Sequence, residues 1–336
     1  MKKTGIAIIM LMILPCSCEK EKDYGSALYE GDEMITYLCW SENSDELYFT
    51  IERDNYRKSI YGVDINTGES WRVGDIMANY GTGLFLKDDK ILYFNDLSYM
   101  NTKLYSLETS GGTPQMIIDS LEYPVVSTKY LAYSRYISLP DTSFNRFMLY
   151  DLDNKTESII NTDKTCVLLS ISPDGSQILF GYPNYMSSIP DLVLYDTGTG
   201  LITDLPVSGN SYLINYFWID NEVYAFSETG MGTYTVYNLV DRNKLSYPEP
   251  LTYNHSYIIS PSGRKIAYLV VEPPALAEGL VGNHYYLHIL KSGSSEVTVI
   301  DMERKSVFEN TMIFSPDETR IAYVRDDTDI YVMTIE

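Results

Sequence analysis

A short apolar run with an aromatic residue in a fixed slot recurs along almost the whole chain, and this repeat limits the fold more than any other feature. The runs are Leu47-Tyr48-Phe49, Leu92-Tyr93-Phe94, Ala132-Tyr133-Ser134, Leu179-Phe180-Gly181, Val223-Tyr224-Ala225, Ala267-Tyr268-Leu269 and Ala322-Tyr323-Val324. Their slots at 48, 93, 133, 180, 224, 268 and 323 lie 40–55 residues apart. A second run follows each, as in Ile60-Tyr61-Gly62-Val63, Leu149-Tyr150-Asp151-Leu152 and Ile330-Tyr331-Val332-Met333. Ahead of the first run sits a tight turn, clearest in Ser172-Pro173-Asp174-Gly175, Ser260-Pro261-Ser262-Gly263 and Ser315-Pro316-Asp317-Glu318. Proline second and Asp or Ser third suit a type I turn between antiparallel strands.

A unit of ~40–45 residues holding four short strands is a propeller blade. The spacing therefore predicts an all-β, seven-bladed β-propeller of four-stranded antiparallel blades, a single domain over residues 25–336 with seven repeats. No stretch keeps a 3.6-residue period over three turns, so no helix is expected. The last unit has strands near 311–314, 320–325 and 329–335 and then the chain ends. Two endings are open: a three-stranded last blade, or closure by an N-terminal strand from Gly25–Glu30, which would protect the exposed edge. The runs Ser315-Pro316-Asp317, Ile321-Ala322-Tyr323-Val324 and Asp329-Ile330-Tyr331-Val332-Met333 resemble the TolB-type, WD-like propeller repeat over about residues 34–336. TolB proteins carry an α/β domain before the propeller, for which this chain has no room.

The first residues read as a targeting segment. Met1-Lys2-Lys3 is a positive n-region, and the apolar run Ile6–Leu14 is too short for a hydrocarbon core that needs ~20 residues. The following Leu14-Pro15-Cys16-Ser17-Cys18-Glu19 resembles a Gram-negative lipoprotein signal, which implies a signal peptide over 1–17, lipidation at Cys18 and a tether over 18–24. Glu19, Glu21 and Asp23 resemble a surface-export signal. The expected location is the outer membrane, periplasmic or cell-surface facing, with the membrane as partner through the lipid. Cys39 and Cys166 fall in equivalent innermost strands on opposite sides of the channel, beyond the ~7 Å that a disulfide spans, so two buried free thiols are expected.

Charge excludes one class of partner. With 25 Lys+Arg against 46 Asp+Glu the net charge is −21, and nucleic acid binding, which depends on basic clusters, is not expected. Cleavage before Cys18 takes Lys2 and Lys3 and moves the charge to about −23. No phosphate loop and no Gly-x-Ser-x-Gly elbow is present, and no catalytic residue, metal ligand or cofactor can be selected. His284 and His288 are four apart in a strand, where four residues span ~13 Å, too far for one ion. His288 sits in the second-run aromatic slot and reads as structural. Carboxylates fall mostly in turns, including Asp174, Asp317, Asp326, Asp327 and Asp329. A calcium site from the last three lacks the glycine and distal Glu of an EF-hand loop.

Many of the 31 tyrosines fill repeat slots, leaving Tyr99, Tyr136, Tyr182 and Tyr185 as candidates for ligand contact. Strand parity places the connections between second and third strands (b–c) on one face. These read as long at Ser134–Asn145, Gly181–Asp191 and Val271–Asn283, and long loops on a rigid scaffold commonly bind ligands. The candidate ligand-binding residues are Tyr136, Phe144, Tyr182, Tyr185, Met186 and His284. The reading is an envelope-anchored, non-enzymatic binding module for a protein, peptide or glycan at that face. The alternatives are a glycan-active lyase or hydrolase with a channel-mouth site, or a purely structural scaffold.

Overall fold

The computed structural model describes residues 27–335 apart from 55–56, 78–82, 89, 97–101, 139–142, 161–165, 183–190, 206–212, 231–232, 242, 246, 248–250, 253–256, 273–283 and 303–306. All regular elements among them are β-strands. Strands β1–β4 (Ile35–Trp40, Glu46–Asp54, Arg57–Asp64, Ser70–Met77) form an antiparallel sheet in chain order. Strands β5–β8 (Leu84–Lys87, Lys90–Asp96, Thr102–Glu108, Gln115–Val126) and β9–β11 (Tyr130–Ser138, Ser143–Asp151, Thr156–Ile160) share a second sheet. A third holds β12–β15 (Val167–Ile171, Gln177–Tyr182, Asp191–Asp196, Ile202–Leu205). In the fourth, β16–β18 (Leu213–Ile219, Glu222–Gly230, Thr233–Asn238) carry two short outer pieces on β18, namely β19 (Lys244–Leu245) and β20 (Leu251–Thr252). The fifth is β21–β24 (Tyr257–Ile259, Lys265–Glu272, His284–Lys291, Val297–Asp301), and the last is β25–β27 (Val307–Phe314, Arg320–Arg325, Asp329–Thr334).

The fused sheet departs from the expected pattern of separate four-stranded units. Strand β8 pairs with β7 through Leu121 and with β9 from Glu122 onward, so one strand is outermost in one unit and innermost in the next. Ser120 (φ 62°) and Tyr123 (φ 49°) take left-handed backbone at the change of partner. Such residues cost of order 1 kcal/mol each, which the surrounding pairing must offset.

Burial follows the repeat. The slot residues Tyr48, Tyr93, Tyr133, Phe180, Tyr224, Tyr268 and Tyr323 are all buried. Facing them across the sheet are second-run aromatics: Tyr93 stacks on Tyr105 with centroids 5.5 Å apart, Tyr323 on Tyr331 at 5.5 Å, and Tyr268 meets His288 at 5.4 Å. His288 thus fills an aromatic packing position, as its slot suggested. Each core cluster draws on two neighbouring units, as where β9 and β10 supply Ala132 and Phe147 against Leu168, Phe180 and Val193. Burial at ~25 cal/mol per Å² is therefore gained between units, which explains why a lone unit would not be stable.

The tight turns are built alike. The hydroxyls of Ser41, Ser172, Ser260 and Ser315 accept the backbone N–H five residues on at 2.9, 2.9, 3.1 and 3.0 Å. In all four the serine also donates to, or shares a bond with, the side chain two residues on: Asn43, Asp174, Ser262 and Asp317. The fourth turn position is left-handed in all four, at Ser44, Gly175, Gly263 and Glu318. Asp326 and Asp327, also left-handed, make the turn between β26 and β27. Asp329 accepts from the Gly31 N–H at 3.3 Å and the Thr328 hydroxyl at 3.1 Å. Among the described residues no three His, Cys, Asp or Glu gather as a metal-holding group.

Last and first sheets meet. The Trp40 indole donates to the Ile313 carbonyl at 3.3 Å, and the Arg320 guanidinium donates to the Ser44 carbonyl at 2.6 Å and covers the Trp40 ring. The N-terminal segment reaches β27 as well: Leu28 N–H donates to the Ile330 carbonyl at 2.8 Å, and Ile330 N–H donates back to Tyr29 at 2.9 Å. This is an isolated antiparallel bridge rather than a full strand. Tyr29 packs on Phe49 at 4.7 Å, which ties the bridge to the core. Cys39 and Cys166 are buried thiols outside any disulfide, and burial pushes the Cys39 thiol up to about 12.

The turn carboxylates tie stability to pH. Burial works against the Asp317 charge, but donors from Ser315 and Thr319 and the nearby Arg320 outweigh it and hold the carboxyl at about 2. Asp174 is lowered in the same way, by Ser176 and Ser172 against burial. A carboxylate whose folded pKa lies below its unfolded value stabilises above the unfolded value and loses that contribution as pH falls through the folded one. Stability is expected to fall as pH drops from about 4 toward 2. Urea unfolding at stepped pH checks this, and Asp317→Asn should flatten that limb.

Candidate functional site

Strand alternation places the β2–β3, β6–β7, β9–β10, β13–β14, β17–β18 and β22–β23 connections on one face, together with the passages between units. The tight turns open on the other. On the first face the candidates separate. β9 and β10 continue as a hairpin, with Tyr136 paired to Asn145, Ile137 to Phe144 and Ser138 to Ser143. The expected loop Ser134–Asn145 is therefore mostly strand, and Tyr136 and Phe144 are strand residues. The physical reason is strand preference: Tyr133, Tyr136, Ile137 and Phe144 are aromatic or β-branched, and their backbone stays paired past the sheet's buried part. Likewise Tyr182 pairs with Asp191 and Glu272 with His284, so the β13–β14 and β22–β23 connections shorten to 183–190 and 273–283.

Tyr136 is 56% exposed. It shares a face of β9 with Ala132 and Ser134, both buried, and stands above the packing between this unit and the next. Tyr182 behaves differently. It is 8% exposed and belongs to the cluster of Phe147, Phe180 and Leu168, so it is a packing residue and not a surface contact. Tyr99, Tyr185 and Met186 fall outside the described residues, and for Phe144 and His284 only the backbone pairing is described.

Three exposed apolar residues on this face were not singled out from the sequence. Tyr123, at the bend of β8, is 67% exposed; Val167, at the start of β12, and Met34, just before β1, are also exposed. Tyr123-Pro124 inside a strand was the available signal, because proline interrupts a ladder. Tyr123 and Tyr136 flank the pairing of Glu122 with Ser134, so two solvated phenol rings border one strand crossing. On the other face of β9, Arg135 reaches away from these rings and donates to both oxygens of Glu157, which lies opposite Tyr150 near the tight turn, at 3.0 and 3.1 Å, and to the Tyr133 hydroxyl at 2.9 Å. Burial raises the Glu157 carboxyl.

The same face of the first unit holds a second polar group. Arg53 pairs with Glu33 and donates to the Tyr61 hydroxyl at 2.8 Å and to Ser59 at 3.3 Å, while Ser59 donates to Asp75 at 2.7 Å. Nearby, the Lys58 ammonium is buried, donates to Thr36 at 3.3 Å and lies 4.9 Å from the Tyr37 ring centroid. Burial lowers its pKa, with Glu52 working the other way. The face thus offers exposed aromatic rings, the Arg53–Glu33 ion pair and a shielded ammonium, groups able to hold a ligand.

No protein-family model and no curated protein sequence matches the chain. Among solved structures it is similar to an oligogalacturonate lyase from Vibrio parahaemolyticus, with a TM-score of 0.67 at 13% identity over 92% of this chain and 93% of that one. An oligogalacturonate lyase in complex with manganese gives a TM-score of 0.64 at 15% identity over 91% and 90%. The β-propeller domain of the Trilobed protease from Pyrococcus furiosus gives 0.52 at 14% identity over 80% and 81%. The likeness is one of fold, and the fold is a β-propeller.

Proposed function

We propose that this chain is a lipid-anchored envelope protein whose propeller, seven-bladed and closed near the Tyr29–Ile330 bridge, acts as a non-enzymatic binding module. Its ligand is a protein, peptide or glycan held on the face of the b–c connections, and nucleic acid is not among its partners. The observation that carries this reading is the pair of exposed rings at Tyr123 and Tyr136, against repeat-slot aromatics that are buried throughout. A solvated sheet edge needs no such rings, and aromatic side chains are enriched where ligands and partners bind. With a net charge of −21, long-range repulsion disfavours polyanions and favours neutral or cationic ligands.

The double variant Tyr123→Ala/Tyr136→Ala should weaken retention on an immobilised peptide or polysaccharide that binds the native protein by roughly tenfold or more. Its stability should stay within about 0.5 kcal/mol, since both rings are exposed. Full retention by the variant would overturn the assignment of this face.

A second reading, a glycan-active lyase or hydrolase, is supported by the end-to-end similarity to the two oligogalacturonate lyases. Incubation with a panel of polysaccharides separates the two: new reducing ends or unsaturated products would establish turnover. Residues 1–17 are proposed as a signal peptide and 18–24 as a tether lipidated at Cys18 and placed in the outer membrane. Cys18→Ala should lose its acyl group and fractionate as a soluble protein; retention in the membrane would contradict the anchor.

A further inference from the structure

The opposite face, where the tight turns open, carries a cleft of about 470 Å³ between the β5–β8 and β8–β11 halves of the fused sheet. Its floor is apolar, from Leu92, Ile117 and the exposed Met116. Three lysines line it, in a chain where acids outnumber bases 46 to 25. The corresponding cleft between the β12–β15 and β16–β20 sheets, about 410 Å³, is lined by Asp196, Glu222 and Asp241 with no lysine or arginine. Repeat geometry alone therefore does not dictate the charge of such a cleft.

Two of the lysines are neutralised within the protein: Lys87 meets Asp153 at 2.9 Å and Lys90 meets Glu108 at 3.0 Å. Lys155 is not. Among the described residues it makes no ion pair, and the turn fixes it: Asp151 accepts the Asp153 and Asn154 N–H groups at 2.9 Å, and Lys155 N–H donates to the Asp151 carbonyl at 2.9 Å. Asp88, on the facing turn, likewise makes no ion pair among the described residues and acts on Lys87 only through its charge. The Tyr150 hydroxyl and the Gln115 amide also line the cleft and make no hydrogen bond among the described residues.

One unpaired ammonium, one unpaired carboxylate and two free neutral polar groups surround an apolar floor. We propose that this cleft binds a short zwitterionic peptide with an apolar side chain, its carboxylate on Lys155 and its amino group on Asp88. The free termini match the two unpaired charges, the peptide link matches Tyr150 and Gln115, and the side chain covers Met116 and Leu92. This site lies on the other face from the ligand surface proposed above and does not depend on it.

Calorimetric titration of the full chain in detergent with the dipeptide Leu-Leu, its N-acetyl form and its C-terminal amide tests the proposal. The free dipeptide should bind, and each cap should weaken binding about tenfold by removing a charge-assisted hydrogen bond. In Lys155→Met the amide and the free acid should bind equally, and in Asp88→Asn the acetylated and free amines should bind equally. If either variant fails to fold, the response of the native protein to the two caps decides. No binding of the free dipeptide at millimolar concentration, or binding indifferent to either cap, would overturn the zwitterion site.

Discussion

Replacing Phe180 with alanine is expected to destabilise the protein by about 3–5 kcal/mol, the range for deleting a buried aromatic ring. Phe180 is fully buried, and Phe147 and Tyr195 meet it edge-on at 5.1 and 6.4 Å. It sits where one unit packs on the next, so the cavity would open in an interface that both units need. The buried area around it comes from six strands of two units, which leaves little freedom to collapse into the space. Urea unfolding followed by tyrosine fluorescence measures the loss, with Phe180→Leu, which leaves a smaller cavity, expected to lose less than the alanine variant. A loss below 1 kcal/mol for the alanine variant would mean the slot aromatics are not what joins the units.

Gly263→Ala is the second large effect. Gly263 has φ +74°, and a Cβ there would lie 2.2 Å from the Trp218 carbonyl oxygen of the neighbouring unit. Backbone cannot yield as a flexible side chain can. Left-handed strain of ~1–2 kcal/mol adds to an overpacking cost of ~1–3 kcal/mol. Gly293→Ala isolates the first part, because Gly293 has φ +76° but nothing within 4 Å of the added atom. Thermal or urea unfolding should show Gly263→Ala clearly the worse of the two. Equal losses would show that the turn moves freely against its neighbour.

These effects fall where the sequence was most legible. An aromatic following an apolar residue, recurring at near-constant spacing, marks a strand buried on both faces, and all seven slot aromatics are indeed buried. The Ser-Pro-Asp turn was legible because serine and aspartate bond to nearby backbone, as Ser172 and Asp174 do. Strand ends were less legible. Period-two alternation says which way a side chain points but not where the neighbouring unit stops covering it. Tyr136 and Tyr182 therefore looked alike in sequence, both near the end of a second strand, yet one is exposed and the other packed. The β8 crossing was hidden for a related reason, since a left-handed Tyr before proline reads as a break rather than as a bend in a continuous strand. The Arg53–Glu33 and Lys58–Thr36 contacts join residues about 20 positions apart, and no local pattern announces them.

Binding without turnover on the b–c face can be measured by hydrogen–deuterium exchange of the protein with and without a retained polysaccharide or terminally capped peptide, with product analysis of the same sample. Protection over Glu122–Tyr136 and Val167–Ile171, with the added ligand recovered unchanged, is the result expected. Protection confined to the tight-turn face, or ligand recovered as cleaved product, would contradict the account.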